Sequence, residues 1–418
     1  MTDSPPKLLV VLPTHWDRKQ FEACRSDWAG RFEIEYAEPS DADCPSDFDA
    51  LDYIRQVAER DDFAGVFSSS DYPGATVAAA IAHAKSLVGP DPKLILEGSH
   101  KLASRQKQLA CVPDATPGFC LVNPDEIVEP TVGFPCFVKP IKGAFSMFAK
   151  RVNSMDELRA HLDRPEVRDF RFDFLDIFNH LWSHYAGSNI DGSFFIAEEM
   201  LTGQQVTVEG YIVDDEPVVI GIVDSEFHAG TGSFSRFVYP SALPPQVQSD
   251  MHDVAARCIK GMGLRRCFFN IEMIWDGAER VSIIEVNPRI CGQFGDLYAK
   301  VDGRNCYAVV PELKCGQPLA WSRGEGSFKI AASVPLRIFE PCTCKAAPSP
   351  ERIREVESKY PGTLIWNEVE AGTELRDFAH EDGASFRYAV INLGANSREE
   401  MLRKADEITA ALDYCFRS

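Results

Sequence analysis

Glu272 and Glu285 are the residues of this chain whose type and spacing offer the most chemistry. Both lie in the stretch Phe268 to Arg289, FFNIEMIWDGAERVSIIEVNPR. Two apolar runs, Phe268 to Trp275 and Val281 to Val286, flank the polar turn Asp276-Gly277-Ala278-Glu279-Arg280, a pattern that predicts paired antiparallel strands. Side chains alternate faces along a strand, so Asn270 shares a face with Glu272, and Glu285 with Asn287. With the turn centred near Ala278 and Glu279, Glu272 falls opposite Glu285 and Asn270 opposite Asn287. Like charges opposed across a sheet destabilise it. A hard divalent cation such as Mg²⁺ would relieve that repulsion, because it takes oxygen ligands from carboxylates and amides and keeps positions free for substrate phosphates. The alternative is a solvated face where both glutamates meet water. Ile274 and Ile283, expected on the same face, and the Pro288-Arg289 pair that follows, speak against it.

The elements that must position this hairpin read on both sides of it. Leu8 to Leu12, Phe32 to Tyr36, Phe63 to Phe67 and Leu94 to Leu96 read as short strands, with helical stretches around Phe21 to Trp28, Tyr53 to Glu59 and Ala75 to Leu87. Such alternation predicts a parallel α/β layer. Loops at the carboxyl ends of its strands commonly hold ligands, which makes Ser68 to Asp71 a candidate substrate loop. Lys101 to Leu109 reads as a basic helix and Phe134 to Pro140 as a strand ending in Lys139-Pro140. Phe172 to Tyr185 has helical apolar spacing; its His180 and His184, at i and i+4, suit a metal, and ordinary core packing explains the same pattern. Phe194 to Leu201 reads as a strand, Gln205 to Val213 with Pro217 to Val223 as a hairpin, and Ser249 to Met262 as an amphipathic helix. A final region from Ser327 combines the strand Ser385 to Leu393 with the helix Arg398 to Leu412.

The length, 418 residues, is enough for two or three domains with ample core. A composition 45% hydrophobic and 25% charged is that of an ordinary globular protein, which sets disordered and fibrous classes aside. A net charge of -20 argues against nucleic acid as a partner, since polyanions call for clustered lysine and arginine. No run of 18 apolar residues exists, so no membrane span is expected. The 13 cysteines are scattered, with Cys342-Thr343-Cys344 as the one metal-like or redox-like spacing. With no signal peptide read at the N-terminus, reduced thiols and a cytoplasmic location are expected. Oligomeric state is not written in the sequence, a homodimer being the commonest arrangement of soluble oligomers.

Taken together, Glu272, the run Glu285-Val286-Asn287-Pro288-Arg289, Lys101, Lys139 and Glu198-Glu199-Met200-Leu201 resemble the ATP-grasp superfamily of ATP-dependent ligases, in particular the carboxylate-amine ligases of the biotin-carboxylase and amino-acid-ligase type. The resemblance implies an α/β fold, α+β in the grasp region, with a Rossmann-like pre-grasp domain over 1–100 and a nucleotide-binding region with its lid over 101–203. A catalytic sheet over 204–326 and a C-terminal α/β lobe packed on that sheet over 327–418 complete it. It implies ATP as cosubstrate and Glu272, Glu285 and Asn287 as holders of Mg²⁺ or Mn²⁺, two ions in all. Lys101 and Lys139 are then the lysines that reach the phosphates, with Arg105 adding charge one helical turn beyond Lys101. Glu198, Glu199, Met200 and Leu201 would read the adenine, and Gln205 stands where relatives often place a carboxylate for the ribose. Ser146 belongs to the loop Lys142 to Phe148, which replaces a glycine-rich lid and retains only Gly143. Arg289 would fork onto an acyl phosphate and act with Lys139 in catalysis.

Glu209, Asp224, His228, Arg236 and Gln293 are candidate substrate residues, and Asp296 and Asp302 could meet an incoming amine. The implied reaction joins a small-molecule carboxylate to an amine through an acyl phosphate, releasing ADP and phosphate. A biotin-carboxylase-like carboxylase and an ATP-binding module without catalysis are the alternatives.

Overall fold

The computed structural model describes residues 4–45, 47–143, 147–172, 175–213, 215–376, 378 and 384–417. The chain begins with a parallel three-stranded layer, β1 (Lys7–Val10), β2 (Glu33–Tyr36) and β3 (Gly65–Phe67), ordered β2-β1-β3. Helices α1 (His15–Ala23), α2 (Arg25–Trp28), α3 (Ala50–Ala58), α4 (Gly74–Ala84) and α5 (Pro92–Ser99) accompany it. The expected strand at Leu94 to Leu96 is instead the middle of α5. Its apolar triplet is too short to carry a period, and the deciding signal is Asp91, whose side chain caps the Lys93 N–H, with Pro92 opening the helix.

Helix α6 (Lys101–Cys111) follows directly, and His100 caps it by accepting from the Ala103 N–H at 3.1 Å. Burial pushes His100 down to about 4, which leaves its ring neutral and able to accept. A second sheet, ordered β4-β7-β5-β6, contains β4 (Phe119–Val122), β5 (Cys136–Pro140), β6 (Lys150–Val152) and β7 (Phe195–Glu199). Between β6 and β7 run α7 (Met155–Leu162), α8 (Pro165–Phe172) and α9 (Asp176–Tyr185). His180 and His184 sit exposed on α9, and among the described residues no group of three His, Cys, Asp or Glu side chains gathers.

The central sheet has eight strands in the order β12-β11-β8-β9-β10-β13-β17-β15, with every neighbouring pair antiparallel. It is built from β8 (Gln204–Val213), β9 (Glu216–Phe227), β10 (Phe234–Tyr239), β11 (Phe268–Trp275), β12 (Val281–Asn287), β13 (Ile330–Ile338), β15 (Thr363–Asn367) and β17 (Phe386–Ala395). Helix α10 (Pro245–Met262) covers one face, burying Met251, Val254, Ala255, Cys258 and Ile259 against Val206, Val208, Ile271 and Met273. Helices α11 (Gly295–Asp302) and α12 (Cys306–Lys314) pack on the opposite side through Tyr298, Tyr307 and Val309.

Three short strands, β14 (Cys342–Ala346), β16 (Glu374–Leu375) and β18 (Cys415–Arg417), form a small sheet beside α13 (Pro350–Lys359) and α14 (Arg398–Ala411). The C-terminal residues expected as a lobe packed on the catalytic sheet therefore extend it edge to edge through β13, β17 and β15. Cys342 and Cys344 are free thiols buried in the core of this region. No helix among the described residues is long and apolar enough to cross a membrane.

Candidate functional site

The hairpin of β11 and β12 has the register its alternation predicts: Glu272 pairs with Glu285 and Asn270 with Asn287. Gln205, Thr207 and Glu209 of β8 pair with Ile274, Glu272 and Asn270, so three strands contribute polar side chains to one face. A β-bulge next to the Glu272/Glu285 pair makes Ile283 the partner of Met273. Ile283 therefore turns into the α10 core with Met273, a correction to the expectation that it shares the glutamate face. Burial, and then the charge of Glu285, push Glu272 up to about 7. The Gln205 Nε2 donates to the Glu272 Oε2 at 3.0 Å.

Cations approach this pair from α6 and β5. Lys101, the first residue of α6, places its Nζ 2.8 Å from the Glu285 Oε1. Burial alone would raise Glu285, but Lys101 and Lys139 outweigh it and hold the carboxyl below its ordinary value. One turn along α6, the Arg105 Nε donates to the Glu198 Oε1 at 2.6 Å, and Lys139 at the end of β5 sits 2.8 Å from the Glu198 Oε2. Against the pull of burial, these two cations bring Glu198 down to about 2. Both also donate to the Ile284 carbonyl, Arg105 at 2.7 Å and Lys139 at 3.2 Å. Ile284 is the residue the bulge leaves out of register. The irregularity in β12 thus ties the hairpin to both cationic elements.

Glu198, expected to read an adenine, has its carboxylate paired with both Arg105 and Lys139. Glu199 turns the other way and pairs with Arg280 at 2.6 Å. Met200 and Leu201 are half-buried where the chain leaves β7 for β8. Gly203, with φ +138°, permits this crossing, since a Cβ there would lie 1.9 Å from the Trp275 carbonyl oxygen.

Arg289 leaves β12 and meets Asp71 of the loop after β3, Nε to Oδ1 at 3.4 Å; the other Asp71 oxygen is 2.7 Å from the Lys142 Nζ. Glu209, fully buried, accepts from the Cys291 N–H and from the Tyr298 hydroxyl at 2.9 Å. It thereby clamps the segment that follows Arg289, and burial pushes its carboxyl up to about 7.

The comparisons with known proteins bear on this arrangement. Residues 132–296, which include Lys139, Glu198, Glu272, Glu285 and Arg289, match the family model described as ATP-grasp domain. Over this stretch the chain is similar to an ATP-grasp domain. The crystal structure of the L-amino acid ligase from Bacillus licheniformis superposes with a TM-score of 0.74 at 16% identity, covering 100% of both chains. That of carboxyaminoimidazole ribonucleotide synthase from Aspergillus clavatus, complexed with ATP, gives 0.69 at 13% identity, covering 98% of each. At these identities the likeness establishes a shared ATP-grasp fold. By sequence, an uncharacterized Sinorhizobium fredii protein, y4rH, is 29% identical over 239 residues, 55% of this chain and 44% of that protein. The chain thus spans less than half the length of the curated relative it matches.

In this chain two of the expected substrate residues lie on the other side of the central sheet. Asp224 pairs with Val206, which places it on the α10 side of the sheet, where it accepts from the Ser241 hydroxyl and from the Ala242 N–H at 2.8 Å. Arg236 pairs with Glu226, two positions along that same side, and Glu226 is held in turn by Arg398 of α14. Both corrections follow from strand parity across β8, β9 and β10. His228 packs its ring against Phe339, 5.0 Å between centroids, beyond the end of β9. Gln293 donates to the Ser333 hydroxyl at 2.7 Å, and Asp296 is taken up by Lys300, Gln20 and Asn392. Asp302 accepts from the Tyr239 hydroxyl at 2.6 Å. Ser146 lies outside the described residues. Asp71 and Lys142 were not singled out as site residues, though Asp71 ends the candidate substrate loop and Lys142 opens the loop after β5; their pairing joins these two loops.

Proposed function

We propose that this chain is an ATP-dependent carboxylate-amine ligase, which activates a small-molecule acid as an acyl phosphate and releases ADP and phosphate. The opposed Glu272/Glu285 pair, bordered by Lys101 and backed by Lys139 and Arg105, carries the reading, because it concentrates anion-binding charge around oxygen donors for a hard cation. Glu272 is pushed up to about 7 by burial and then by Glu285, a cost that a bound cation would relieve, and the pair fits Mg²⁺ or Mn²⁺ held by Glu272, Glu285 and Asn287, two ions in all. Such a metal supplies orientation and charge neutralisation to the phosphates.

The chain's own groups supply the rest. Lys101 and Lys139 meet phosphate charge as a carboxylate oxygen attacks the γ-phosphorus and ADP leaves. Arg289 steadies the acyl phosphate while an amine attacks its carbonyl carbon, phosphate departs and the amine sheds a proton. Glu209 holds the Arg289 segment by its bond to the Cys291 N–H. Met200, Leu201 and Gln205 line the crossing from β7 to β8 where a nucleotide base and ribose would lie.

The test is ADP release by the purified chain offered panels of carboxylates and amines with Mg²⁺, together with Glu285→Ala. Amine-dependent release that disappears in Glu285→Ala supports the ligase. Release driven by bicarbonate without an amine points to a carboxylase, and undiminished turnover in Glu285→Ala removes the proposed metal site.

A further inference from the structure

The loop that opens the lid begins with Lys142, a lysine only 2% exposed. Its ammonium lies over the rings of Tyr72 and Phe178, at 5.8 and 5.9 Å from their centroids, and is held by the Asp71 carboxylate at 2.7 Å. A strongly hydrated cation placed so deep has its position imposed by the fold. Arg289 reaches the same carboxylate from β12 at 3.4 Å, and both Asp71 and Arg289 keep about 20% of their side-chain surface exposed. The carboxylate itself comes from the first domain, from the serine-rich loop after β3, whose Ser70 hydroxyl is bonded to Asp41 at 2.7 Å. Two cations on two elements of the ATP-grasp region thus converge on one oxyanion delivered by a third.

We propose that this point, between Lys142 and Arg289, is an anion subsite for the carboxylate or phosphoryl group of the reacting acid, and that Asp71 occupies it as an internal stand-in until the ligand displaces it. The inference rests on the ligase reading for the identity of the ligand, while the anion seat stands on geometry alone. A carboxylate, or one O–P–O edge of a phosphoryl group, presents two oxygens that a guanidinium and an ammonium can meet. Lys142 also explains how a lid loop that retains only Gly143 can still present charge to an oxyanion: a side-chain ammonium takes over from backbone N–H groups. Burial alone would raise the Asp71 carboxyl, but Lys142 and Arg289 outweigh it and hold the group well below its ordinary value, so it remains an anion and a competitor across the working pH range.

The experiment is a titration of the full chain with inorganic phosphate and, separately, with acetate, at constant ionic strength and with MgADP present, read by the shift in thermal unfolding. Asp71→Asn is expected to bind at least one of the two anions three-fold or more tighter than wild type, and Arg289→Gln in the Asp71→Asn background is expected to erase the gain. A gain in the phosphate arm assigns the seat to the phosphoryl group, and one in the acetate arm to the acid. Asp71→Ser, which continues the run of neighbouring serines, is the second variant should Asp71→Asn fail to fold. Unchanged or weaker binding of both anions by a folded variant overturns the proposal, as does loss of the folded state in both variants, which would make Asp71 a structural partner. A wild-type chain that releases no ADP with any substrate would sink the ligase reading while leaving this titration to decide the subsite.

Discussion

Glu209 is a carboxyl group with nowhere to put its charge: fully buried, it receives the Cys291 N–H and the Tyr298 hydroxyl and is pushed up to about 7 by burial. A folded-state value above the ordinary 4.5 means that the native protein holds the proton more tightly than the unfolded chain does. Stability is therefore greatest below about 4.5 and falls as pH rises from there through 7, by up to about 3 kcal/mol for this one group. Glu209→Gln carries no charge and should lose that part of the dependence, so its stability relative to wild type should rise between pH 5 and 8 in urea denaturation. Parallel pH profiles would show that Glu209 is stabilised by other contacts. From sequence its place among the candidate site residues came from the family resemblance; its occupation by Cys291 and Tyr298 was not legible, because both partners lie more than eighty residues away.

At the scale of elements, the connection from β7 to β8 leaves no room for a side chain at Gly203. Gly203 combines φ +138° with a backbone carbonyl where a Cβ would stand. Gly203→Ala should cost about 1–3 kcal/mol in chemical denaturation. It should also raise the KM for ATP more than it lowers kcat, because the change displaces Met200 and Leu201 rather than the metal-side carboxylates. An unchanged KM would separate this crossing from nucleotide binding. The hairpin beside it shows how far local pattern reaches: turn length and period-two alternation were enough for the Glu272/Glu285 register, yet the bulge at Ile284 escaped them. A bulge is set by what the neighbouring elements require, here the Arg105 and Lys139 bonds to the Ile284 carbonyl.

For the whole molecule, the candidate site draws on the parallel three-stranded layer, the four-stranded sheet and the central sheet at once, through Asp71, Lys139 and Glu285. A ligand that bridges them stabilises the folded chain by mass action, about 2.7 kcal/mol at a concentration 100 times its Kd. MgATP should therefore raise the unfolding temperature measurably, ATP with EDTA much less, and Glu285→Gln should remove the difference between the two. Equal shifts with and without metal would exclude the carboxylate pair as a cation site. What the sequence determined by itself was whatever depends on near neighbours: the hairpin and its facing glutamates, Lys101 at a helix start, Lys139 at a strand end, and the α/β class. Tertiary structure alone decided the rest. It chose the side of the sheet for Asp224 and Arg236, ran the C-terminal strands on as part of the central sheet, and brought Asp71 to Arg289 across 218 residues. The reason is physical: alternation and capping act over a few residues, whereas strand order and burial of charge are settled only when distant segments pack together.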